Sequence, residues 1–288
     1  MQADRASVLR PLGDLEPAER PDDELQAVIR RDAGEMAAHE AGAKSGADPE
    51  DLHKLRVATR RIRSLLRSTR TLVEDRDEAE SLRAELKWLA TLLGEVRDRD
   101  VLIEYLLGEL ETLDGAPLGA VLELIDGERE VARREVVRGL DAARYAALTA
   151  RLETPPALRA GKTLREAAEG DYRRLRRTMR KLGTDSSDAE LHEARIRAKR
   201  ARYAVEAAGL GSAFADRAKA LQDVLGEHQD AVVAEVRIRA LLEQVHGAGR
   251  TAFAVGRLVE RQHARRAAAR HEWPEAWRRL EKAGTRIF

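Results

Sequence analysis

The chain contains no cysteine, which excludes disulfides, thiolate metal sites and a cysteine nucleophile. Aromatic residues make up only 3% of its 288 positions, which removes the usual stacking support for single-stranded nucleic acid and disfavours a β-sandwich core. A net charge of one sign is also missing. The 52 Lys and Arg are balanced by 51 Asp and Glu, so indiscriminate coating of DNA is not expected and nucleic acid is a disfavoured partner. No apolar run is long enough to cross a bilayer. The opening residues, MQADRASVLRPLGDLEPAERP, lack the apolar core of a signal peptide. A cytoplasmic protein with no membrane partner is the expectation. No Walker-type glycine loop, HExxH motif or serine–histidine–acid arrangement occurs. No catalytic residue, cofactor or metal is therefore assigned.

What is present favours helices. Hydrophobic residues reach 43%, largely Ala, Leu and Val, and charged residues reach 36%, the composition of packed helices with solvated outer faces. The expected fold is all-α. Residues 1–21 are rich in proline and charge and read as a flexible leader. A first helix follows from about Asp22. Asp48-Pro49-Glu50 then has an N-cap residue followed by proline in the first turn, predicting a second helix to about Val73. A third helix is expected over 77–110, closed by a turn at Asp114-Gly115-Ala116-Pro117, and a fourth running to about Glu153. Thr154-Pro155-Pro156 punctuates the chain. A helix over 158–182, a break at 183–187, two more helices, a break near Gly247 to Gly249 and a last long helix complete the pattern.

Two stretches are near-copies. LHKLRVATRRIR, from Leu52 to Arg63, matches LHEARIRAKRAR, from Leu191 to Arg202. The first places His53, Arg56, Arg60 and Arg63 at steps of three and four, and Arg67 continues the row. The second places His192, Arg195, Lys199 and Arg202 in the same way. Such spacing puts each set on one helical face. A second matched pair follows in the same order: Lys87-x5-Leu-Gly94-Glu95-x2-Asp98 and Lys219-x5-Leu-Gly226-Glu227-x2-Asp230. Ordered pairs at similar separation indicate duplication, with two tandem pseudo-symmetric four-helix units over 22–153 and 154–286 packed into one helical domain.

An apolar stripe of Leu52, Leu55, Thr59, Ile62, Leu66 and Val73 lies one residue behind the first cationic row. Leu191, Ala194, Ala198, Ala201, Val205 and Ala208 do the same for the second. The cations thus border the core seam, where arginine stems can lie on neighbouring helices while their heads stay wet. From Asp51 to Arg70 there are seven Lys or Arg and one acid. His53 to Arg67 spans about 21 Å at about 1.5 Å per residue, oversized for one phosphate and suited to a linear polyanion. Arginine predominates, favouring forked hydrogen bonds to phosphate oxygens.

With LKWLATLLGEVRDRDV, LDAARYAALTARLE, LHEARIRAKRARYAVE and LQDVLGEHQDAVV added to the first motif, residues 22–282 resemble the CHAD domains, named for conserved histidines in an α-helical domain. The resemblance implies a bundle of about eight helices in two pseudo-symmetric halves that binds inorganic polyphosphate through basic faces. Family members often share a chain with a triphosphate-processing domain. There is no room for one here, so a stand-alone member is expected. Glu193 and Ala194 depart from the first half's Lys54 and Leu55, and Gln229 stands where the first half has Arg97.

The binding residues expected are His53, Arg56, Arg60, Arg63, Arg67, Lys87, Arg97, His192, Arg195, Lys199, Arg202 and Lys219. For the two histidines three roles remain open: phosphate donor, metal ligand between the halves, or orienting residue at a helix start. Asp98 and Asp230 are expected to pair with arginines and hold them in place, and Gly94 and Gly226 to permit close helix approach. The basic run from Arg173 to Arg180 either flanks the same groove or is a solvated face. Trp88, Trp273 and Trp277 read as packing residues. Non-enzymatic polyphosphate binding is the leading expectation, serving attachment to polyphosphate bodies or phosphate regulation. A metal-dependent phosphohydrolase or polyphosphate-processing enzyme is the alternative, and nucleic-acid binding the weaker one.

Overall fold

The computed structural model describes residues 23–110, 119–244 and 249–288. Within them the chain is all-α. The first half carries α1 (Glu24–Ser45), α2 (Pro49–Thr69), α3 (Arg76–Leu110), α4 (Gly119–Leu140) and α5 (Ala143–Glu153). The second carries α6 (Leu164–Met179), α7 (Asp188–Ala207), α8 (Ser212–Gln244) and α9 (Gly249–Gly284). The expected leader and the Asp114–Pro117 turn lie outside the described residues, as do Gly247 and Ala248 of the expected break.

Local chemistry sets the ends of these helices. At α1 the Asp23 side chain accepts from Gln26 N at 2.9 Å, while the Gln26 side chain accepts from Asp23 N, a reciprocal cap. The same helix ends at Gly46, whose φ of 67° is left-handed, a conformation that costs glycine little. Asp48 caps α2 as expected, accepting from Glu50 N at 2.8 Å. Ser187 opens α7 with a second capping box through Glu190.

Three boundaries differ from the expected ones. α2 stops at Thr69, and Val73 instead forms an antiparallel bridge with Leu158. Glu74 N donates to Ala157 O at 3.0 Å and Arg159 N to Leu72 O at 2.8 Å. The linker after Pro156 is thereby tied back to the first half, and α6 starts only at Leu164. The expected fourth helix is two, α4 and α5, separated at Asp141 and Ala142.

The first core gathers the apolar stripe of α2 with Leu25, Ile29 and Met36 of α1, Leu82, Leu86, Leu89 and Leu93 of α3, and Val136 and Leu148. Leu158 and Leu164, beyond the Pro155-Pro156 punctuation, also belong to it. A second core joins α6 to α9 around Leu175, Ala198, Phe214, Leu221 and Trp277. Each fully buried Leu or Phe contributes about 1.5–3 kcal/mol relative to exposure. A third core is shared between the halves. Leu106, Val121 and Ile125 pack with Ile238, Val255 and Leu258. The halves also meet where α2 packs against α7. The two halves thus meet at the third core, at the Val73–Leu158 bridge and where α2 packs against α6 and α7, with the basic rows at the α2–α7 contact.

Candidate functional site

α2 and α7 present the two rows beside each other because each helix buries its apolar stripe in its own half. Leu52, Leu55, Ile62 and Leu66 are buried on α2, and Leu191, Ala194, Ala198 and Ala201 on α7. The cations one residue ahead of each stripe are left at the edge of the core, half-buried. The duplication extends to their partners. Arg56 Nη2 stands 3.6 Å from Asp98 Oδ1, and Arg195 Nη2 stands 4.0 Å from Asp230 Oδ1. The expected pairing of these aspartates with arginines is present in both halves.

The glycines expected to permit close helix approach face the arginines of the neighbouring helix. A Cβ at Gly94 would lie 4.0 Å from Arg56 Nε, and one at Gly226 would lie 3.4 Å from Arg195 Nε. What passes over each glycine is a guanidinium, at a distance that would leave an added methyl group in ordinary contact.

The two rows converge across the halves. Arg60 Nε donates to the Tyr203 hydroxyl at 3.1 Å. The Arg202 guanidinium lies over the Tyr203 ring, 4.8 Å from its centroid, and Arg202 Nε is 3.4 Å from Glu206 Oε1. Lys199 sits at the centre. Burial pushes its ammonium down to about 6, aided by the charges of Arg60, Arg195, Arg56 and Arg202. Four guanidinium groups from two helices therefore act on one amine. Burial also lowers His53, together with Arg97, Arg60 and Arg56, against the opposing charge of Glu50. His53 Nδ1, His192 Nδ1 and Arg195 Nε are buried without a hydrogen-bond partner.

Not every expected residue joins this cluster. Arg63 is lowered by burial and by Arg60 and Arg83, placing it at the cluster's α3 side. Arg67 lines a separate cleft with Arg197 and Arg200. Lys87 is exposed, and exposed Lys219 is engaged with Asp223 at 2.8 Å. Neither lysine is among the main charges acting on His53, Arg56 or Lys199. Tyr203 is the member that sequence reasoning missed. The signal was a tyrosine directly after Arg202 in a chain with only 4 tyrosines. Trp273 and Trp277 are buried in the second core, and Trp88 packs against the first. Among the described residues no three His, Asp or Glu side chains are grouped to hold a metal ion.

Comparison with known proteins fits this geometry. A family model described as the CHAD domain matches residues 27–239. The chain belongs to the CHAD domain family. In solved structures, this CHAD domain is similar to PptA from Streptomyces chartreusis, with a TM-score of 0.77 and 26% identity over 89% of this chain and 98% of that one. It is also similar to the CHAD domain from the plant Ricinus communis, with a TM-score of 0.66 and 27% identity over 86% of this chain and 91% of that one. Two uncharacterized Mycobacterium tuberculosis proteins, MT2285 of strain CDC 1551 / Oshkosh and Rv2226 of strain H37Rv, are each 29% identical over 96% of this chain. The chain spans 58% of the length of these curated relatives. No helix among the described residues of this CHAD domain is long and apolar enough to cross a membrane.

Proposed function

We propose that this chain binds inorganic polyphosphate, without acting on it, along the seam between α2 and α7. The observation that carries the reading is the convergence of Arg56, Arg60, Arg195 and Arg202 on the amine of Lys199, which burial first and these four charges second push down to about 6. Like charges gathered at a half-buried seam raise the free energy of the empty protein, and a polyanion relieves that repulsion. A linear chain with charge on every unit meets both rows in turn. Nδ1 of His53 and of His192, buried without a partner, is available to phosphate once the imidazoles turn towards it. The reading places the protein in the cytoplasm, attached to polyphosphate bodies or serving phosphate regulation, with nucleic acid as a poor competitor.

The test is a titration with long-chain polyphosphate over a salt series, with duplex DNA as competitor. The expected result is tight binding that weakens steeply with salt, because contacts to phosphate release counterions, and that DNA at equal charge does not displace. Arg56→Ala, Arg60→Ala and Arg63→Ala together should nearly abolish it. Unchanged affinity in that triple variant would refute the seam, and steady release of phosphate would refute non-enzymatic binding.

A further inference from the structure

A second concentration of arginine lies beside the seam. Arg67 and Arg70 from the end of α2, Arg174 and Arg177 from α6, and Arg197 and Arg200 from α7 line a cleft of about 330 Å³. One carboxylate, Asp171, is among the lining residues. It is already engaged, accepting from the Ser68 hydroxyl and, at 2.7 Å, from Arg174 Nη1. Arg197 Nε donates to Glu193 at 2.6 Å. Among the described residues, no carboxylate pairs with Arg67, Arg70, Arg177 or Arg200.

Many arginines elsewhere on the surface are paired. Arg138 meets Glu135 at 2.7 Å, Arg144 meets Glu85 at 2.6 Å and Arg279 meets Glu275 at 2.8 Å. A solvated face takes this mixed pattern because each local carboxylate offsets a cation. What sets the cleft apart is that four arginines, unpaired among the described residues, face one cavity. Here burial lowers Arg200, and the neighbouring Arg197 and Arg67 lower it further, against the pull of Asp171 and Glu193. The cleft gathers six arginines against two paired carboxylates, Asp171 and Glu193. Glu80, held low chiefly by its hydrogen bond from Arg83, is close enough for Arg67 and Arg70 to lower its pKa further.

The duplication provides an internal control. In the register that superposes His53 on His192, buried Asp32 superposes on buried Asp171 and Arg61 on Arg200. The first-half counterpart of the cleft, lined by Asp32, Arg61 and Glu206, is a pit of about 20 Å³. In that register the cleft's Arg67, Arg174, Arg177 and Arg197 are replaced by Glu206, Glu35, Ala38 and Ala58. One copy is an open, arginine-lined cleft and the other is closed and mixed in charge. A general need of the fold for charge at this place would appear in both.

We propose that the cleft between the end of α2, α6 and α7 is a separate binding site for a compact anion carrying several phosphoryl groups. Guanidinium forks approach it from three helices, which suits phosphate oxygens presented in several directions. The rows on α2 and α7 run along their helices and suit an extended chain instead. The cleft's charge stands whether or not the seam binds polyphosphate.

Calorimetric titration of the whole chain with inorganic tripolyphosphate, and separately with inositol hexakisphosphate, tests this. Arg177 is exposed and Arg200 makes no ion pair, so Arg177→Ala with Arg200→Ala is expected to keep the fold, checked by an unchanged melting temperature. Each lost charge-assisted contact should weaken the compact ligand about tenfold. Long-chain polyphosphate should lose much less in this variant, and Arg56→Ala with Arg60→Ala should show the reverse pattern. Tighter binding of tripolyphosphate than of the inositol phosphate would make the natural ligand an inorganic oligophosphate. The opposite order would make it a phosphorylated small organic molecule. No binding of either compound, unchanged binding in the Arg177/Arg200 variant, or equal loss for short and long chains would overturn a separate site.

Discussion

Arg60 of α2 donates from Nε to the hydroxyl of Tyr203 on α7, 3.1 Å away. This bond fixes one cation of the first row with a side chain of the second half, so the two rows share a member's orientation. Tyr203 is buried at 4% exposure and also carries the Arg202 guanidinium over its ring. Tyr203→Phe keeps the ring and removes only the hydroxyl. Thermal unfolding should show a loss of about 1 kcal/mol, the usual net value of one hydrogen bond. Polyphosphate affinity should fall about three- to tenfold, on the order of 1 kcal/mol. Equal affinity in wild type and variant would mean that Arg60 is positioned without the tyrosine.

Lys199 makes binding depend on pH. Its amine is held at about 6 in the empty site, so near neutral pH it is mostly uncharged. A bound polyanion favours the ammonium and raises that value. Between the two values the complex holds a proton that the free protein lacks, so affinity falls as pH rises, by at most about tenfold per unit for one proton. Calorimetry at pH 7.5 in buffers of different ionisation enthalpy should register proton uptake. Lys199→Arg, always charged, should reduce that uptake by the lysine's share. The same linkage acts on folding. Above about pH 6 the unfolded chain retains the lysine's proton while the folded protein has lost it. The ligand-free protein should therefore gain stability from this group as pH rises towards the ordinary lysine range.

Much of this was legible because duplication and helical periodicity are properties of residue order. The buried stripe from Leu52 to Leu66 and the row from His53 to Arg63 follow from steps of three and four alone. Convergence was not legible. Nothing in the spacing of Arg56 or Arg195 says that both act on Lys199, since that depends on how α2 packs against α7. The ends of helices were lost to tertiary effects. Val73 continues the helical pattern, yet its backbone is taken by the linker at Leu158. The cleft was legible only in part: the run from Arg173 to Arg180 supplies Arg174 and Arg177, but no local pattern joins them to Arg70 and Arg200.

The glycines under the arginines give a graded test. At Gly226 a methyl group would meet Arg195 Nε at 3.4 Å, ordinary contact, and at Gly94 the distance to Arg56 Nε is 4.0 Å. Both positions lie inside α-helices, where alanine is favoured over glycine by about 0.5–1 kcal/mol. Gly94→Ala and Gly226→Ala should therefore raise the melting temperature with little change in binding. Gly226→Leu should displace the Arg195 guanidinium and weaken polyphosphate binding. Loss of stability in the alanine variants would show that a methyl group is not accommodated beside the arginine stems.

Asp98 and Asp230 stand at the same arginines that an anion would use. Their pairs are loose, at 3.6 and 4.0 Å, and their side chains are 70% and 51% exposed. Ion pairs of this kind contribute about 0–1 kcal/mol to stability. Their negative charge next to the seam opposes an arriving phosphate more than their hold on the guanidinium assists it. Asp98→Asn with Asp230→Asn keeps the shape of each side chain and removes both charges. The double variant should bind polyphosphate about three- to tenfold more tightly at low salt, and this advantage should shrink as salt screens the repulsion. Its unfolding free energy should change by less than about 2 kcal/mol, the sum of two exposed pairs. Weaker binding in the double variant would instead show that the aspartates hold Arg56 and Arg195 in the orientation that phosphate requires.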